Sequence, residues 1–148
     1  ASFLAFVSGP RTVTLLDPSL LSNPGMQGAL FSVFLRLPSV IVGEGNGDPI
    51  ADALYRDVIV AYAPQIAADP FRALAGIAFA QPLVLALEAA GPDLTRERLI
   101  EELRNIDGYT EGLYHNLSFA NGYQGNNSVM LLQVTPQGLR PVSDWLER

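Results

Sequence analysis

The chain has 148 residues, 49% of them hydrophobic, with a formal net charge of −6 and no cysteine. Its length and apolar content suffice for a buried core and argue against disorder. The acidic balance excludes a nucleic-acid partner, whose phosphates need a basic surface; the lack of cysteine removes disulfides, thiolate nucleophiles and cysteine-based metal sites.

Phe3–Val7 and Thr12–Leu16 are short apolar runs rich in β-favouring residues, separated by Gly9-Pro10, and read as strands. Asp17-Pro18 ends the second, and Leu20–Gly28 reads as a loop or short helical turn. Ala29–Leu37 is the clearest strand: Ala29, Phe31, Val33, Leu35 and Leu37 make one wholly apolar face, and Pro38 stops it. Ile41–Gly47 reads as a flexible, glycine-rich connection.

Asp48-Pro49 starts a helix, with an N-cap and a proline in the first turn, and Ile50, Leu54, Val58 and Tyr62 supply its apolar stripe. Asp69-Pro70 repeats the start signal. The helix that follows is apolar almost all round up to Gly91-Pro92, which predicts burial between two layers, with a kink or break at Pro82. No apolar run is expected to reach the roughly 18 residues of a membrane span.

Thr95 caps the next helix, whose buried stripe is Leu99, Leu103 and Ile106, and Asp107-Gly108 closes it. Leu117–Phe119 and Ser128–Val134 read as strands, and Pro136-Gln137-Gly138 turns into a last strand over Leu139–Val142. Helices packed on a sheet in this order make an α/β fold, a single unit over residues 1–148.

Residues that could carry chemistry are few. His115 is the only histidine, without a nucleophile-elbow sequence, and reads as a surface or strand-edge residue. Gly43–Gly47 lacks the Lys-Ser/Thr of a phosphate loop. Glu101 and Glu102 read as a solvated helix face rather than a catalytic pair. Neither a histidine pair nor a calcium-loop pattern supports a metal. Trp145 reads as a packing anchor for the C-terminus, or as a contact with a partner chain. No enzyme and no cofactor is expected.

The order Ala73–Gly91, LTRERLIEELRNI, DGYTEGLY, NGYQGNN and VMLLQV resembles the C-terminal end of the periplasmic solute-binding proteins of ABC transporters, of the branched-chain amino-acid-binding type. GALFSVFLRLP (Gly28–Pro38) is similar to a strand that crosses between their two lobes, and Glu111-Gly112 stands where that family commonly has glycine-proline.

The resemblance implies a type I periplasmic-binding fold and, given the length of this chain, a C-terminal portion of a two-lobed protein. It implies an extracytoplasmic binding component, periplasmic or extracellular in a bacterium, recognising a small polar solute such as an amino acid and serving a transporter permease. Two other readings stay open, an intracellular amide or amino-acid sensor of the same fold and an assembly domain without a small ligand. Ligands of such sheets sit at the carboxyl ends of the strands, which makes Ser8, Asp17 and Ser39 the candidate ligand residues. Asp17 would accept hydrogen bonds from a ligand ammonium, though before Pro18 it also reads as a turn residue. Apolar faces left open by missing strands imply a homodimer or association with the missing part of the protein.

Overall fold

The structure is a computed structural model that describes residues 6–7 and 23–147. Its sheet is built around the alternation read from the sequence: Ala29, Phe31, Val33, Leu35 and Leu37 are all buried. Strand β1 (Phe6–Val7) runs parallel to β2 (Leu30–Val33), which pairs antiparallel with β3 (Ser128–Thr135). Strand β4 (Gly138–Pro141) returns along β3, and β5 (Leu146–Glu147) pairs with the start of β3. Ladder pairing of β2 stops at Val33, short of the expected Leu37, because its continuation bonds a loop instead: Arg36 N–H donates to Leu113 O. Of the first expected strand only Phe6–Val7 is described, and Thr12–Leu16 lies outside the described residues.

The helices lie between β2 and β3 in the chain. Helix α1 (Ser39–Val42) is a single turn that takes in the first two residues of the expected Ile41–Gly47 connection, where Val42 is buried in the core. Helix α2 (Pro49–Leu54) continues as a π-helical turn over Tyr55–Val60. Its buried side is Ala51 and Ile59 with Tyr55 between them, one residue on from the expected stripe. Val58 and Tyr62 of that stripe are 41% and 84% exposed. Tyr55 explains the offset, since its hydroxyl donates to Ala67 O at 2.9 Å and ties this face to the following 3-10 turn (Pro64–Ile66).

Helix α3 (Pro70–Ala90) is capped by Asp69, which accepts from Arg72 N, and ends at Gly91, whose positive φ of 69° favours glycine. The helix runs through Pro82 without a break. It has the length and composition of a membrane span, with a mean hydropathy of 1.7 over its most apolar window, contrary to the sequence expectation; its start is nonetheless part of the protein core. Phe71, Ala73, Leu74, Ala75 and Ala78 are buried, whereas Phe79, Leu83, Val84 and Leu87 are 37–62% exposed. The helix is therefore not covered all round: Ala86 and Ala90 are still buried in its second half, but the row from Phe79 to Leu87 is open. Helix α4 (Arg96–Asn105), capped by the Thr95 hydroxyl, packs along α3, and Arg98 Nε donates to Ala90 O to close the end of α3.

The expected strand Leu117–Phe119 reduces to isolated bridges, Tyr109 with Leu117 and Leu117 with Asn126. The architecture is α/β, a mainly antiparallel sheet with a helical layer on it.

Candidate functional site

A part-buried ion pair lies just beyond the end of β2. Arg36 is the only charged residue between Ala29 and Pro38, and it points away from the buried face of that strand. Its Nη1 donates to Asp48 Oδ2 at 2.6 Å, with side chains only 14% and 21% exposed. Nε and Nη2 make longer bonds, both 3.4 Å, to Tyr114 O and Thr110 O. Asp48 also caps α2, its Oδ1 accepting from Ile50 N and Ala51 N. The ion pair thus joins the strand end, the α2 start and the 110–114 loop.

Ser39 lies beside this junction. Its N–H and hydroxyl both donate to Asp52, at 2.7 and 2.8 Å, so the polar atoms of the expected ligand residue are committed to fixing α1 on α2. Gly47 passes so close that a Cβ would meet Ser39 Oγ and Ser39 N. Ser8 and Asp17, the other two expected ligand residues, lie outside the described residues.

A cleft of about 220 Å³ opens over the junction, lined by Arg36, Asn46, Asp48, Met130, Pro141 and Trp145. Trp145 reaches it through a bulge. Pro141 pairs with Leu132 and Leu146 with Val129, so five residue steps on the returning strand (141 to 146) face three on β3 (132 to 129). Ser143 Oγ fills the break in the ladder by accepting from Leu131 N at 2.9 Å. Bulges of this kind re-aim side chains. Here the indole stacks on His115, with ring centroids 4.8 Å apart and an interplanar angle of 7°, and also walls the cleft. The sequence reading of Trp145 as a packing anchor holds.

His115 is half-buried, 3.8 Å through Nε2 from Glu147. Its Nδ1, Asn116 Oδ1, Asn126 Oδ1 and Ser128 Oγ are buried without a protein partner. Ser128 makes no hydrogen bond to His115 and is fully buried, so the pair does not form an activated nucleophile. Burial holds the Tyr114 phenol above its ordinary value, and burial followed by the Glu111 charge does the same for Tyr109. Among the described residues no cluster of three or more acidic, histidine or cysteine side chains could hold a metal.

No family model and no curated protein matches this sequence. Solved structures do. A branched-chain amino-acid ABC transporter protein from Thermus thermophilus, crystallised with bound valine, matches over 88% of this chain with a TM-score of 0.57 and 15% identity. A leucine-binding protein from Thermotoga maritima matches over 88% with a TM-score of 0.51 and 18% identity. The chain has the fold of part of these binding proteins. It spans 37% and 34% of their lengths, about a third of each. The likeness read from the tail of the sequence is therefore matched in three dimensions, and the α/β fold is of the type I periplasmic-binding kind.

The sequence reading missed Arg36, Met130 and the cleft-facing position of Trp145, and took Asp48 for a cap alone. A lone charge two residues before a strand-ending proline was the one local signal available for Arg36.

Proposed function

We propose that this chain is part of the solute-binding component of an ABC transporter, acting outside the cytoplasm and recognising a small polar solute such as an amino acid. The observation that carries the reading is the 88% coverage on two amino-acid-binding proteins. Both neighbours are binding proteins rather than enzymes, and the polar groups at the end of β2 suit reversible recognition: paired charges and an aromatic wall, with no activated nucleophile among them.

A transporter permease is the proposed partner of the whole protein. The exposed apolar row Phe79, Leu83, Val84 and Leu87 on α3 supports association with another polypeptide, either a second copy or the remainder of a two-lobed protein of which residues 1–148 form the C-terminal portion. Ser8, Asp17 and Ser39 remain proposed ligand-proximal positions, with Ser39 acting through its hold on Asp52.

A thermal-shift panel of amino acids tests the function. Saturating ligand raises the melting temperature of a binder through linkage, and a flat response across the panel would favour an assembly domain instead.

A further inference from the structure

We infer that Asp144–Glu147 is a strap that swings off the start of β3 while the rest of the chain stays folded. Its opening uncovers a polar floor beneath Trp145 and removes one wall of the cleft over Arg36 and Asp48. The inference stands apart from the solute-binding reading.

What lies under the strap carries it. Four buried side-chain atoms, His115 Nδ1, Asn116 Oδ1, Asn126 Oδ1 and Ser128 Oγ, have no hydrogen-bond partner. They collect at one place. Trp145 stacks on His115, and Glu147 is the ladder partner of Ser128. Asn126 Nδ2 donates to Ser128 O, and the bridge between Leu117 and Asn126 brings Asn116 alongside. Turning the Asn126 amide over would not help, because it would break the bond to Ser128 O. A buried polar atom without a partner gives up its hydration uncompensated, and native interiors hold few such atoms. Lifting the strap lets water reach His115 and Ser128, the two that it covers directly.

Little holds the strap down. Its contacts with β3 are two ladder pairs, Ser128 with Glu147 and Val129 with Leu146. Leu146 is 48% exposed and the Glu147 side chain 54%, so β5 buries little apolar surface. Glu147 lies 3.8 Å from His115 Nε2, too far for a hydrogen bond. The root is better fixed: Leu131 N donates to Ser143 Oγ and Val142 N donates to Leu131 O, both at 2.9 Å. Movement is thereby confined to the residues after Ser143. Short, exposed ladders open locally without global unfolding. The indole also walls the cleft of about 220 Å³, so the same movement gates access to it.

Trp145 is the sole tryptophan, so its emission reports the strap alone. The experiment combines acrylamide quenching of that emission with amide hydrogen exchange, on the parent chain and on Ser128→Ala and Ser143→Ala, with folding checked by circular dichroism. In the parent, amides of residues 146–147 are expected to exchange about tenfold or more faster than those of 132–134 in the middle of the sheet. Ser128→Ala removes one orphaned atom from beneath the strap. It is expected to lower both the quenching constant and the exchange at 146–147 by about threefold. Ser143→Ala loosens the root and raises both. Unchanged or increased quenching in Ser128→Ala overturns the proposal, since an internal water would then already satisfy the floor. Exchange at 146–147 as slow as at 132–134 overturns it as well, because the segment would open only with the whole sheet.

Discussion

Arg36 and Asp48 lie 2.6 Å apart at a point where a strand end, a helix start and a distant loop meet. Asp48 holds two roles there, cap of α2 and partner of Arg36. Losing a cap costs about 1 kcal/mol, and a hydrogen bond to a charged group about 1.5–3 kcal/mol. Asp48→Ala is therefore expected to lose about 2–4 kcal/mol in urea denaturation. Asp48→Asn keeps a capping oxygen and is expected to lose visibly less. Equal losses would show that the cap contributes nothing beyond the ion pair.

Gly47 is expected to be intolerant of a side chain for purely steric reasons. A Cβ would meet both the hydroxyl and the backbone nitrogen of Ser39, and backbone cannot rotate away. Gly47→Ala should destabilise by about 2–3 kcal/mol, against about 1 kcal/mol for Ser39→Ala, which loses one hydroxyl bond to Asp52. The double variant is not rescued, because Ser39 N stays in the way. Chemical denaturation of the three variants decides it, and full rescue would mean the clash lies with the hydroxyl alone.

The apolar row of α3 should govern association. Leu83 and Val84 are each 48% exposed, so Leu83→Glu with Val84→Glu is expected to change stability little, within about 1 kcal/mol. Light scattering should report the parent chain above its 15.9 kDa monomer mass and the variant at that mass. A monomeric parent at micromolar concentration removes self-association from the proposal.

Alkaline pH should weaken the fold through Tyr109 and Tyr114. Burial raises both phenols above their ordinary value, so the folded chain holds these protons more tightly than the unfolded one. The corresponding stability is complete below the unfolded value near 10 and is lost as pH rises through the folded values. Tyr114→Phe should flatten part of that decline. Denaturation midpoints between pH 9 and 11 that fall equally in both chains would reject the assignment.

Much of the fold was legible locally. The alternation at Ala29–Leu37 and the caps Asp48, Asp69 and Thr95 all hold, because each rests on period or on bonds two or three residues apart. The buried face of α2 was misjudged by one residue. Spacing alone could not reveal that Tyr55 would reach Ala67 O and turn the Ala51–Ile59 side inward through a π-helical turn. Helix α3 was apolar all round in sequence, and only packing distinguishes its covered side, from Phe71 to Ala90, from the open row at Phe79–Leu87.

The sequence by itself determined which residues would be apolar on each element, where most helices begin and end, and the likeness to amino-acid-binding proteins. The tertiary structure alone decided the candidate site. Arg36 meets Tyr114 across 78 positions, and a five-against-three bulge sends Trp145 onto His115 and into the cleft. Strand register and long-range hydrogen bonds are settled by the whole sheet and its loops at once, so no single segment carries the information that makes the cleft.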